Sequence, residues 1–312
     1  MKTVLFYRDF RNFSGGHLKV WDYFVHVRHS DKYKPQIFFS PESIWDENNP
    51  WKEMKEHVLS NWDSRNADVL FLAGLDWLIL PEIDRQALYR PIINLIQHVR
   101  HSHKTDPRYG LLRHRAIRIC VSEEIKQALE ATGQCNGPLF VISNGLESSK
   151  FPALINEQNK TWDILIAGFK NPELAYKLKQ ALEPLGKNIK ILTSMIPRNL
   201  FLDELNHAKI TVFLPHEEEG FYLPALEGMA LQTFVICPDC IGNRSFCLDR
   251  YNCLCPRYTL DDILDSIYRS LSLPRQEWQK ILLSAREVSE RHTLWGERQV
   301  FLQILEDIDQ IW

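Results

Sequence analysis

The strongest constraint on the fold of this chain is a regular alternation of short apolar runs with longer, more polar ones. "TVLFY", "PQIFF", "DVLFLAG", "INLIQ", "IRICVS" and "LFVIS" are brief, continuous and rich in β-branched or aromatic residues. Runs of that kind read as strands buried on both faces, as a parallel sheet requires. Between them lie amphipathic stretches such as "GHLKVWDYFVHV" and "SEEIKQALEATG", the latter with Ser122 placed as N-cap and Gly133 as stop. A polar, turn-rich segment over 146–160 interrupts the pattern, which then restarts. "WDILIAG", "IKILTS", "KITVFLP" and "FVICP" are the next strands, with "PELAYKLKQALEPLG", "NLFLDELNHA" and "LPALEGMALQ" as helices between them. The last stretch is all helical: "TLDDILDSIYRSLSL", "RQEWQKILLSAREVSERH" and "WGERQVFLQILEDIDQIW". Alternating strand and helix implies parallel sheets joined by right-handed crossovers. The expected fold is therefore α/β: two doubly wound Rossmann-like domains facing across a cleft. The expected boundaries are 1–148 for the first domain and 160–295 for the second, with a final helix over 296–312.

Size agrees with two domains, because 312 residues exceed what a single core comfortably supports. No window approaches about 18 uncharged apolar residues, so no membrane-spanning helix is expected. The start, "MKTVLFYRDFRNF", reads as a first strand and not as a signal peptide, since charge arrives at Arg8 and Asp9. Lys plus Arg number 37 against 40 Asp plus Glu, and that balance argues against a nucleic-acid coat protein. Seven cysteines without an export signal point to free thiols in a reducing, cytoplasmic location. Five of them crowd into "CPDCIGNRSFCLDRYNCLC". "CPDC" has zinc-ligand spacing, but no second C-x-x-C accompanies it, so buried thiols are the expectation and no metal is assigned.

In open α/β sheets ligands gather at the carboxyl ends of strands, where loops run into helix N-termini. "HEEEGFYLPALEGMA" (216–230) is such a loop and helix. Pro224 suits a first helical turn, and the free amides there form an anion site. Gly220 permits close approach of a phosphate to the backbone. Glu219 and Glu227 flank that site, and carboxylates accept hydrogen bonds from sugar hydroxyls. A ligand with hydroxyls on both sides of its phosphates, a nucleotide sugar, fits the pattern. The plainer alternative is an electrostatically capped helix with Glu227 facing solvent.

"EGFYLPALEGMA" closely resembles the E-G-F-G-L-P-x-x-E-A-M-A signature of retaining glycosyltransferases of family 4, which have the GT-B fold. Other stretches resemble the same family in the same order. They are "SGGHLKVWDYF", "ICVSEEIKQAL", "VISNGLESSKF", "IAGFKNPELAYKLKQAL", "CPDCIGNRSFC" with "YNCLCP", and "ERHTLWGERQVFLQIL". The resemblance implies a metal-independent hexosyl transfer that needs no cofactor. The donor would be a nucleoside-diphosphate sugar, and the acceptor a glycan, a lipid-linked glycan or a small molecule. Polysaccharide or other glycan synthesis is the implied setting.

It also assigns roles. Glu227 would hold the nucleotide ribose and Glu219 the donor sugar, with the backbone of Gly220, Phe221, Tyr222 and Leu223 facing sugar and diphosphate. Lys170, in "GFKN", would neutralise the departing diphosphate. Phe169 stands where the family usually has Arg, and Arg198 could supply that second charge. Gly15 and Gly16 form the double-glycine loop, which would approach the donor diphosphate or the acceptor and is assigned to donor binding; an ordinary strand-to-helix turn is the alternative. The family often carries a His after its fourth strand, and this chain offers Asp76 and His98 as acceptor-side candidates. The backbone near Thr193 to Ile196 would read the base, and the last helix would return to the first domain. The Phe169 departure keeps open a nucleotide-sugar-binding or scaffolding protein without turnover. The basic stretch 98–118 is either a solvated loop or a docking surface for anionic lipid headgroups at the inner membrane surface, or for an acidic acceptor. Nucleic acid is disfavoured there, because few aromatics interleave with the charges.

Overall fold

Each apolar run forms a strand. A computed structural model describes residues 1–12, 14–86 and 89–312, which divide into two units: Met1–Asn144 with Leu294–Trp312, and Gly145–Thr293. The first unit contains β1 (Lys2–Arg8), α1 (Gly15–Arg28), β2 (Tyr33–Phe39), β3 (Val69–Ala73), α2 (Glu82–Gln86), β4 (Ile92–Ile96), β5 (Ile117–Cys120), α3 (Glu123–Glu130) and β6 (Leu139–Val141). Its strands pair in parallel in the order β2-β1-β3-β4-β5-β6. The central strands β3, β4 and β5 are buried along their whole length, which explains runs such as "VLFLA" and "IINLI" with no polar alternation. Ser122 caps α3, its hydroxyl accepting from the Ile125 amide at 3.4 Å, and Gly133 lies beyond the helix end with a positive φ of 62°.

The second unit contains β7 (Trp162–Ala167), α4 (Pro172–Leu182), β8 (Ile189–Leu192), α5 (Arg198–Asn206), β9 (Ala208–Phe213), α6 (Leu223–Ala230), β10 (Phe234–Ile236), α7 (Leu260–Ser272) and α8 (Arg275–Arg291). Its parallel order is β10-β9-β7-β8. Both sheets are doubly wound, with strands added first to one side of the starting strand and then to the other. The switch points fall between β1 and β3 in one unit and between β7 and β9 in the other. The order of strand addition reverses there while all strands stay parallel, and in open α/β sheets that is where ligands gather.

Two segments hold more order than their composition suggests. The polar stretch 146–160 is tied into the second unit by Lys160, whose buried ammonium donates to the carbonyls of Ala208, Leu231 and Gln232 at 3.0, 3.2 and 2.9 Å. Burial pulls its pKa down to about 8. The closing "WGERQVFLQILEDIDQIW" is broken at Asp307 into α9 (Leu294–Glu306) and α10 (Ile308–Ile311), both in the first unit. No helix among the described residues is long and apolar enough to cross a membrane.

Candidate functional site

Four strand-to-helix loops meet at the carboxyl edge of the second sheet, and each has a local reason for its shape. After β7, Gly168 admits α4 at close range, since a Cβ there would lie 2.4 Å from that of Ala175. Asn171 caps α4 by accepting from the Leu174 amide at 3.1 Å. These contacts fix the intervening Lys170. After β8, Pro197 starts α5 and Arg198 is its first residue. Phe169 packs edge-on against Phe201 of α5, with ring centroids 5.5 Å apart. The side chain that departs from the family pattern thus secures the helix that begins with Arg198.

The loop after β9 carries the acids. Glu219 is held in a turn, its amide donating to the His216 carbonyl at 3.2 Å. Lys170 Nζ lies 3.9 Å from Glu219 Oε1, close enough for charge attraction but too far for a hydrogen bond. Oε1 is itself buried and accepts no hydrogen bond among the described residues. Glu227, one turn into α6, is fully buried and ion-paired through Oε1 with Arg198. Burial pushes its carboxyl above the ordinary range, against the pull of the Arg198 charge. Glu227 therefore faces neither bulk water nor the helix exterior, in contrast to the capped-helix alternative.

The backbone between the acids divides in two. Tyr222 N–H donates to Gly242 O at 2.8 Å and Leu223 N–H to Phe221 O at 3.1 Å, so those amides are committed. The amides of Gly220 and Phe221 make no such bond among the described residues. The Phe221 and Tyr222 side chains are anchors: Phe221 packs on Phe246 and His292, and Tyr222 on Phe213. Behind them lies Gly242, in the loop after β10 that resembles the family's glycine–asparagine loop but whose glycine was given no role in the sequence. A Cβ there would stand 2.8 Å from Glu219 O, Phe221 N and Tyr222 N. Only glycine lets the loops nest so closely.

On the first unit, the carboxyl edge brings Asp76 to Arg8. Asp76 accepts from the Ala73 amide at 2.9 Å and pairs with Arg8 Nη1 at 3.3 Å, at the switch point between β1 and β3. Burial raises its carboxyl to about 6 despite the Arg8 charge. Arg8 was not among the sequence candidates, although it is the one cation closing the first apolar run. Ser14 caps α1 at Gly15, and Gln97 donates to the Gly16 carbonyl at 3.2 Å. His98 turns its ring inward on its own loop, Nδ1 accepting from the Arg100 amide at 3.1 Å. All seven cysteines are free thiols. Among the described residues no group of three or more His, Cys, Asp or Glu is arranged to hold a metal ion.

Residues 148–272 match the family model described as glycosyl transferases group 1. No curated protein matches the chain. Among solved structures, sucrose-phosphate synthase from Thermosynechococcus elongatus superposes with TM-score 0.75 at 11% identity, covering 99% of this chain and 100% of that one. HepE of Anabaena in complex with UDP-glucose gives TM-score 0.75 at 13% identity, with 98% and 100% covered. A glycosyltransferase from Rickettsia africae gives 0.69 at 14%, with 98% of each chain covered. The architecture is that of the GT-B glycosyltransferases.

Proposed function

We propose that this protein is a glycosyltransferase moving a sugar, with retention of anomeric configuration, from a nucleoside-diphosphate sugar to a hydroxyl acceptor. The observation that carries the reading is the side-chain cluster at the carboxyl ends of β7, β8 and β9. There a buried carboxylate oxygen of Glu219 lacks a donor, a lysine stands beside it, and a second buried acid is held by an arginine. A buried acceptor without a partner is costly, and a sugar hydroxyl would satisfy it. The group 1 match over 148–272 supports the same assignment. HepE, of like fold, was obtained with UDP and with UDP-glucose, so uridine diphosphate sugars are the first donors to try.

In the proposed reaction the bond from the anomeric carbon to the diphosphate oxygen breaks, and its electron pair leaves with the diphosphate. The acceptor oxygen bonds to the same face, and its proton passes to the departing phosphate oxygen. Lys170 and Arg198, with the Gly220 and Phe221 amides, stabilise the charge that develops, so no metal step is invoked. Glu219 orients the donor sugar and Glu227 the ribose, Gly15 and Gly16 approach the donor diphosphate, and Asp76 and His98 belong to the acceptor side. Glycan or polysaccharide synthesis at the cytoplasmic face of the inner membrane is the setting this reading favours.

The test is to incubate the full chain with a panel of uridine, guanosine and adenosine diphosphate sugars and mixed hydroxyl acceptors. The expected result is release of nucleoside diphosphate and an α-linked product from an α-linked donor by NMR. Saturable nucleotide binding with no release across the panel would replace this reading by the scaffolding one.

A further inference from the structure

At the opposite edge of the first sheet, away from Arg8 and Asp76, lies a solvent-open cavity of about 350 Å³ lined by Arg65, Ala67, Asp68, Tyr89 and Arg90. Ala67 and Asp68 precede β3, and Tyr89 and Arg90 precede β4, so the cavity opens at the amino ends of those strands. Three of its polar groups are already satisfied or solvated. Arg65 forks onto Asp63 through Nε and Nη2 at 2.9 and 3.1 Å. Asp68 Oδ2 accepts from the Thr3 amide at 2.6 Å, and the Tyr89 ring is exposed.

Arg90 is the exception. It is only 6% exposed, its Nη1 is buried without a partner, and it forms no hydrogen bond or carboxylate pair among the described residues. Its guanidinium lies 4.3 Å from the centroid of the Tyr89 ring, which offers attraction but no acceptor. A buried guanidinium cannot shed its proton to escape the cost of burial, so it needs an anion.

We propose that this cavity is a second ligand site, separate from the donor site, that takes the oxyanion of a small phosphomonoester or carboxylate on Arg90. The Arg fork suits either group, because both present two oxygens at the spacing of its N–H donors. The volume falls near the lower end of small-molecule sites, about 300–1,000 Å³, so the occupant is a small metabolite and not a nucleotide. Arg65 closes the rim and Tyr89 supplies a flat face for the rest of the molecule.

The experiment is hydrogen–deuterium exchange on the full chain, titrated with inorganic phosphate, glycerol 3-phosphate or citrate against chloride at equal ionic strength. The expected result is saturable protection in peptides covering 60–70 and 89–96, with phosphate compounds and citrate separating the two sources. Arg90→Met is expected to weaken that binding at least 10-fold and to unfold no earlier than the wild type, since it removes a buried charge that has no direct carboxylate pair and only the longer-range attraction of Asp63. Protection confined to 168–171 and 217–223 would reflect the donor site and overturn the proposal. So would no protection with any anion, or undiminished protection in Arg90→Met. Should that variant fail to fold, the wild-type peptide map decides alone.

Discussion

Glu219 and Glu227 enclose seven residues, yet their surroundings give them opposite tasks. Glu219 Oε1 has only the Lys170 ammonium 3.9 Å away, whereas the fully buried Glu227 is ion-paired with Arg198. Glu219→Gln leaves the shape but replaces an ionised acceptor by a neutral one. A hydrogen bond to a charged group contributes about 1.5–3 kcal/mol, so kcat/KM should fall roughly 10- to 100-fold. Steady-state transfer kinetics check this, and an unchanged value would remove Glu219 from the donor site. For Glu227 the folded carboxyl lies above its ordinary 4.5. Such an acid favours the folded state below that value and penalises it as pH rises through the raised one. Arg198 offsets the penalty. Arg198→Met should therefore lower stability by about 1–3 kcal/mol at pH 8 and by less at pH 5, because protonation of Glu227 on acidification lessens its need for a cation; Arg198 is partly exposed, which moderates the effect. Urea unfolding at the two pH values measures the difference, and equal losses would refute it. Both acids were singled out in the sequence because "EGFYLPALEGMA" resembles a family signature, whereas their burial and the Arg198 partner carried no local pattern. Arg8 was not, since one cation after a strand carries no pattern until Asp76 is folded against it.

At the scale of elements, strands and helices followed the apolar periodicity closely, because each buried strand needs a continuous run and each covering helix an amphipathic one. What periodicity could not reveal is loop nesting. Residues 40–66 carry no helical or strand pattern, yet Trp51 is fully buried there, edge-on to Trp21 and Phe39. Gly242 is the functional counterpart of that blind spot. Its role depends on a loop from another strand arriving within 2.8 Å, which no local pattern encodes. Gly242→Ala must push the backbone of Glu219 to Tyr222 outward, since backbone atoms cannot give way as a flexible side chain could. Overpacking of that kind costs about 1–3 kcal/mol. The variant should fold with a lowered melting temperature and bind nucleoside diphosphate at least 10-fold more weakly. Calorimetry of unfolding and binding tests both, and normal nucleotide affinity would show that the loop contact does not shape the site.

At the scale of the whole molecule, the first unit is assembled from two distant parts of the chain. Lys19 of α1 is fully buried and donates to Glu297 of α9 at 2.6 Å, 278 positions away, and pairs with Asp22 at 2.8 Å. His26 Nε2 meets the other Glu297 oxygen at 3.2 Å, and Tyr33 donates to Leu305 O at 2.9 Å. The return of the last helix was implied by family resemblance, but this charge network was invisible, because nothing local marks which lysine meets which glutamate. Burial works to raise the Glu297 carboxyl, yet Lys19 and His26 together bring it below its ordinary 4.5. An acid so depressed contributes stability that is complete above 4.5 and lost as pH falls through the folded value. Burial also holds His26 below its usual 6.5, so protonating it on acidification works in the same direction. Glu297→Ala strands Lys19 with one carboxylate instead of two, and removing one partner of a buried pair costs about 3–5 kcal/mol. The loss should fall on the unit that contains residues 1–144 and 294–312. Of the nine tryptophans, only Trp162 and Trp278 lie in the other unit, so intrinsic fluorescence reports mainly on the affected one. The variant is expected to show an earlier fluorescence transition in urea at pH 7, and a smaller further loss than wild type between pH 5 and pH 3, because the ionisation that fails on acidification is already absent. An unchanged midpoint at pH 7, or an acid limb parallel to wild type, would show that the apolar contacts of α9 hold this return without the buried ions.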